Sequence, residues 1–192
     1  PRYHTTIQVQ GPEEQKDTIE DFVNRVMSIA KKENFYRGKR IEFGERIRFL
    51  NVEGKSWDGI ILNPATKREV KANTVEFLKR VKKFFKFGIP QKRGVLLAGE
   101  PGTGKTLICK ALMAESDGIT CIISNAYKLS GDDYVTELYE MAQDLSPCIV
   151  FIEDIDLIGL NREEYHYQQG PALISLLNVL DGVEEKHEIV TV

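Results

Sequence analysis

Cysteine is scarce in this 192-residue chain: Cys109, Cys121 and Cys148 make three, an odd number without metal-ligand spacing. That excludes a disulfide framework or a cysteine metal site, and it predicts buried, reduced thiols in a cytoplasmic protein. No apolar run reaches the roughly 20 residues that span a membrane; the longest, such as 94–98 and 148–152, are strand-sized. No secretory leader pattern, internal repeat or low-complexity tract is visible. Wholesale disorder is excluded too, because 42% hydrophobic residues against 29% charged ones can build a core.

Charge is not evenly spread. The net −3 hides 21 Lys/Arg against 12 Asp/Glu in residues 1–93, and 5 against 17 in residues 94–192. Such asymmetry implies two regions with different jobs. Pro1 and Val192 both read as cuts in a longer protein.

Residues 3–10 alternate weakly and predict a strand. Residues 13–34 predict a helix, with Ile19, Phe22, Val23, Val26, Met27 and Ala30 at steps of three and four. Residues 40–43 and 46–50 alternate around Gly44 as a β-hairpin. We therefore expect residues 1–52 to be a small α+β segment, the tail of a preceding domain, and residues 53–192 to be a second domain. A long helix is expected over 65–87, stopped by Gly88 and Pro90. Beyond it, apolar runs at 94–98, 119–123, 148–152 and 189–192 alternate with helical stretches at 105–115, 133–143 and 171–180. This alternation predicts an α/β fold of three layers, α/β/α, around a mainly parallel sheet.

Gly99-Glu100-Pro101-Gly102-Thr103-Gly104-Lys105-Thr106 follows a strand and opens a helix, satisfying G-x-x-x-x-G-K-[ST]. Glycines let the backbone N–H groups turn inward around a polyphosphate, and the helix end adds positive potential. Lys105 would reach the outer phosphates, and the Thr106 hydroxyl would meet Mg²⁺. Cys148–Ile152 then runs into Glu153 and Asp154. Acids at the C-terminal edge of a buried strand can hold a metal and activate water. A solvated acidic turn is the alternative, less favoured beside a phosphate loop.

These two motifs, with Leu176-Leu177-Asn178-Val179-Leu180-Asp181-Gly182, resemble the large nucleotide-binding subdomain of AAA+ ATPases, in the AAA branch, over residues 57–192. The resemblance implies a P-loop NTPase fold, ATP and Mg²⁺ as cofactors, and hydrolysis coupled to protein remodelling, unfolding or chaperone activity. It implies a ring of identical subunits, six in the full-length protein, and a protein substrate. By position, Lys105, Glu153 and Asp154 are catalytic, Thr106 and Glu153 hold the metal, and Pro101–Leu107 hold phosphate: Pro101, Gly102, Thr103, Gly104, Lys105, Thr106 and Leu107. Asp58, Gly59 and Ile60, after Trp57, fall where the family wraps adenine, with Ile60 or Ile61 against the ring.

One departure is informative. Most of the family has Asp then Glu where this chain has Glu153 then Asp154. That order, with the approach Gly88-Ile89-Pro90-Gln91-Lys92-Arg93-Gly94-Val95-Leu96-Leu97, is similar to a smaller branch. It includes the mitochondrial translocase of the Rieske iron–sulfur protein and bacterial chaperone-like relatives. A nucleotide-gated module with little turnover is the competing expectation.

Residues 125–131, with Tyr127, occupy the family's substrate-gripping position, although a plain loop is favoured. Residues 161–170, with His166, occupy a second pore-facing position, and that His is expected to be solvated. The family's γ-phosphate sensor, arginine fingers and helical lid are expected beyond Val192, so this piece by itself is expected to turn over very slowly. Lys79, Arg80, Lys82, Lys83, Lys86, Lys92 and Arg93 form an acid-free basic stretch. A nucleic-acid partner is compatible with it but is not favoured over a solvated face or a subunit contact. Arg162 is the sole Arg after residue 93, which argues against the Arg-rich lid of a nucleotide kinase.

Overall fold

The computed structural model describes residues 8–126, 134–155, 176 and 187–192. It falls into two compact units, Pro1–Phe35 and Tyr36–Val192. In the first, a 3-10 turn at Glu13–Gln15 leads into helix α1 (Lys16–Lys32), where Phe22, Met27 and Ile29 remain exposed. Of the strand expected at 3–10, residues 3–7 lie outside the described residues and residues 8–10 form no regular element.

The second unit is built on six strands: β1 (Arg40–Glu42), β2 (Arg48–Phe49), β3 (Lys92–Gly94), β4 (Thr120–Asn125), β5 (Cys148–Glu153) and β6 (Ile189–Thr191). Their order is β2-β1-β4-β5-β6-β3, and only the β1–β2 pair is antiparallel. The hairpin expected at 40–50 forms, yet it is the edge of the main sheet. Ile41 pairs with Ile122 in parallel register, and the Phe43 N–H donates to the Ile123 carbonyl at 2.8 Å. The compact-unit boundary thus lies at Phe35/Tyr36, and not at residue 52 as expected. An isolated hairpin is marginal in water, and β4 supplies the edge that buries Ile41 completely.

Residue parity shows the layering. Cys121, Ile123, Ile149, Phe151 and Val190 point to one face, where α2 (Pro64–Asn73), α3 (Val75–Phe85) and α4 (Lys105–Glu115) pack. Ile41, Ile122, Val150, Ile152 and Ile189 point to the other, under α5 (Tyr134–Asp144) and the helical Leu176. Alternation of side chains along each strand produces this division, so both faces of the sheet are covered as expected.

Two expectations change. The helix expected over 65–87 is two helices, broken at the wholly buried Thr74 (ψ −99°). The Thr74 hydroxyl donates to the Val70 carbonyl at 2.7 Å, a local bond that competes with helix continuation. Val70 and Val75 bury on the same side, so the apolar periodicity runs through the break and conceals it. The strand expected at 94–98 pairs earlier, over 92–94, because bonding to β6 sets its register; the Val95 N–H makes a further bond to the Thr191 carbonyl at 2.8 Å.

Leu112 on α4 is fully buried. Leu112→Ala is expected to cost about 2–5 kcal/mol through lost burial and a residual cavity. Urea denaturation measures this, and a loss below about 1 kcal/mol would contradict the packing of α4 on the sheet.

Candidate nucleotide and metal site

Strand β3 leaves the sheet at Gly94, and ten residues, 95–104, connect it to α4. Gly104 caps that helix at φ +95°, a left-handed conformation that favours glycine. At Gly99 a Cβ would lie 3.0 Å from the Thr103 hydroxyl oxygen. That hydroxyl donates to the Glu100 carbonyl at 2.7 Å and closes the loop on itself. The Lys105 ammonium donates to the Gly99 and Glu100 carbonyls at 2.6 and 3.0 Å, which sets the cation inside the loop. The first α-helical bond is Ile108 N–H to Gly104 carbonyl at 3.0 Å. The N–H groups of the first turn have no partner within the helix and present positive potential to the loop.

Strand β5 lies between β4 and β6, with Cys148–Ile152 buried, Glu153 half-buried and Asp154 exposed. Glu153 Oε1 is buried and has no hydrogen-bond partner among the described residues. Glu153 and Thr106 share a cavity of about 280 Å³, to which α4 adds Lys110 and β4 adds Ser124 and Asn125. A second observation ties the strand end to α4: burial, and then the Glu153 carboxylate, push the Cys109 thiol up to about 12. The phosphate loop and the acidic strand end are therefore adjacent, although β6 separates β3 from β5.

Asp154 holds φ +57°, a region Asp tolerates better than most residues. Its Oδ2 accepts from Asn125 Nδ2 at 2.9 Å. Asn125 ends β4 directly opposite Glu153. Sequence reading sets Asn125 at the start of a loop, favoured as plain over substrate-gripping, whereas in the structure it is the last residue of β4 and bonds to Asp154 at the acidic strand end. Its only signal was a polar residue closing an apolar run, and without strand order that signal has no target.

Trp57–Gly59 form a 3-10 turn whose Asp58 N–H is accepted by the Ser56 hydroxyl oxygen. Ile60 is buried in the core beside Trp57, while Ile61 is fully exposed, so Ile61 is the residue available to meet a ligand. None of Asp58, Gly59 and Ile60 lines the 280 Å³ cavity. Pro101 is exposed and Leu107, in the first turn of α4, is 37% exposed. Tyr127, His166 and the segment 177–182 lie outside the described residues.

All three thiols are buried and free. Burial also raises Cys121, to about 11, and Cys148. A raised folded-state pKa means that the unfolded chain ionises first, so these thiols stabilise the fold fully below about pH 9. That contribution is lost as pH rises toward 11 for Cys121 and 12 for Cys109. Native protein at pH 8 is expected to react with a thiol reagent only on unfolding, and the urea midpoint to fall between pH 8 and pH 10.5. Rapid labelling of the native chain would contradict the buried placement.

The donors fit Mg²⁺. Thr106 and Glu153 line one cavity and carry a hydroxyl and a carboxylate, both oxygen ligands, and Mg²⁺ takes few protein ligands beside waters and phosphate oxygens. Among the described residues no group of three His, Cys, Asp or Glu forms a protein-only cage.

Comparison with known proteins points to a family. The profile described as ATPase family associated with various cellular activities (AAA) matches residues 95–192. The ATP-dependent zinc metalloprotease FtsH of Ruminiclostridium cellulolyticum is 36% identical over 175 residues, covering 83% of this chain and 25% of that protein. The ATP-dependent zinc metalloprotease FtsH of Borreliella burgdorferi is 38% identical over 71% of this chain and 21% of its own length. A rice protein, ATP-dependent zinc metalloprotease FTSH 9, chloroplastic/mitochondrial, is 35% identical over 60% of this chain and 15% of its own length. The chain thus spans a quarter or less of the curated relatives named here.

Proposed function

This chain belongs to the AAA family of ATPases, and from that premise we propose that it binds Mg-ATP over residues 99–107 and hydrolyses it to drive remodelling of a protein substrate. The observation that carries the site is that Glu153, one of whose carboxylate oxygens is buried without a hydrogen-bond partner among the described residues, lines the same cavity as Thr106 at the start of the phosphate-loop helix.

Bound Mg-ATP brings the phosphoanhydride bond and a divalent charge that offsets the phosphates. The chain supplies the rest. Main-chain N–H groups from Gly102 to Leu107 bind phosphate oxygens beside Pro101, which has no N–H to give, and Lys105 exchanges its loop carbonyls for them. Thr106 and Glu153 hold the ion. Asp154 takes the proton of the attacking water, held in place by the Asn125 amide. Asp58, Gly59 and Ile60, with the exposed Ile61, form the adenine side.

The Glu153-Asp154 order and the approach from Gly88 to Leu97 support the smaller branch that holds the Rieske-protein translocase and chaperone-like relatives. The relatives' names support a protein substrate, with remodelling linked to proteolysis. We place the working assembly as a ring, six-membered by family resemblance. Buried free thiols support action in the cytoplasm. Among the described residues no helix is long and apolar enough to cross a membrane.

Calorimetric titration with Mg-ATP, followed by a phosphate-release assay, tests the proposal. Saturable binding that weakens without Mg²⁺ is expected. No binding at millimolar nucleotide would overturn the site.

A further inference from the structure

Among the described residues the helices on the two faces carry opposite charge. Helices α2, α3 and α4 together hold nine Lys/Arg against three Asp/Glu, whereas α5 on the other face holds three acids and no base. Within each layer the charge forms a stripe. Lys79, Lys82, Lys83 and Lys86 recur at steps of three and four along α3 and its C-cap, and all are exposed. Glu137, Glu140 and Asp144 recur at the same steps along α5, with Glu140 and Asp144 exposed. Seven residues separate the ends of each stripe, about 10 Å along a helix. The two stripes therefore match in length and oppose in sign. One copy cannot pair them, because its own sheet lies between the layers.

We propose that the basic stripe of α3 docks on the acidic stripe of α5 of a second copy of this chain. Contact between different faces of identical copies is heterologous and closes a ring when the rotation between neighbours allows it. The inference rests on the ring reading above and names the surfaces that build it. Exposed Phe85 and Phe87 flank Lys86 and give the basic stripe an apolar margin. A polyanion such as nucleic acid would use the basic stripe alone and leave α5 without a role.

Sedimentation velocity of this chain over a concentration series, with Mg-ATP, at low and high salt, tests the proposal. Self-association that weakens with salt is expected. Lys79→Glu with Lys83→Glu is expected to weaken it at least about tenfold, and Glu140→Lys with Asp144→Lys to do the same. An equal mixture of the two variants is expected to associate again, because the unaltered acidic α5 of the first then meets the unaltered basic α3 of the second. Circular dichroism confirms that each variant is folded.

Association insensitive to both reversals would overturn the assignment of these surfaces and leave the ring reading standing. A wild-type chain monomeric throughout would overturn the ring reading for this chain, and this proposal with it. If the α3 reversals abolish salt-dependent retention on DNA while the α5 reversals leave self-association unchanged, the basic stripe serves a polyanion and the proposal fails.

Discussion

Asp154→Asn is expected to lower ATP turnover by about 10²–10⁴-fold, the usual contribution of a positioned general base, while Mg-ATP affinity stays within about threefold. The substitution is selective for physical reasons. Asp154 sits at φ +57°, and Asn is among the residues most tolerant of that region. An Asn side chain keeps an oxygen to accept the Asn125 amide bond of 2.9 Å. What disappears is the carboxylate that receives a proton. Glu153, which lines the cavity with Thr106, remains to hold the ion. Single-turnover phosphate release, read beside nucleotide affinity, separates the two effects. Unchanged turnover would move the base elsewhere. The same variant discriminates between motor and gate: substrate handling that survives the loss of turnover would favour a nucleotide-gated module.

For Lys105→Ala the expected loss is in binding itself. A charged hydrogen bond contributes about 1.5–3 kcal/mol, and each 1.4 kcal/mol is a factor of ten, so Mg-ATP affinity should fall about 10–100-fold. Lys105 now donates to the Gly99 and Glu100 carbonyls, so its removal also loosens the loop. The fold should survive, because alanine is the best helix former and α4 is anchored by buried Ile108, Ala111 and Leu112. A urea midpoint shifted by no more than about 1 kcal/mol, together with lost affinity, is the expected pair of results. Affinity equal to wild type would show that the 99–106 loop is not the phosphate site.

Much of the site was legible because its chemistry is local. Gly99 to Thr106 is one continuous segment whose glycines, lysine and hydroxyl act through the backbone beside them. Cys148–Ile152 and the two acids after it are equally continuous, and five apolar residues in a row require a strand buried on both faces. Asn125 escaped because its role depends on β4 lying beside β5, which no spacing within either strand reveals. Thr74 escaped because apolar periodicity continues across the break. Ile60 and Ile61 were interchangeable as neighbours in a connector, until packing buried the first and left the second outside.

The order of residues alone determined the α/β class, the helix beginning at Lys105, and the pairing of a phosphate loop with carboxylates at a strand end. Those properties follow from backbone periodicity and short-range chemistry, which act within a few residues. Tertiary structure alone decided that Ile41 belongs to the main sheet, that Thr106 and Glu153 share a cavity, and that Asn125 holds Asp154. Each of these joins segments 29 to 81 residues apart. Lateral pairing of strands is set by how the whole sheet buries its two faces, a condition that no local stretch of chain can express.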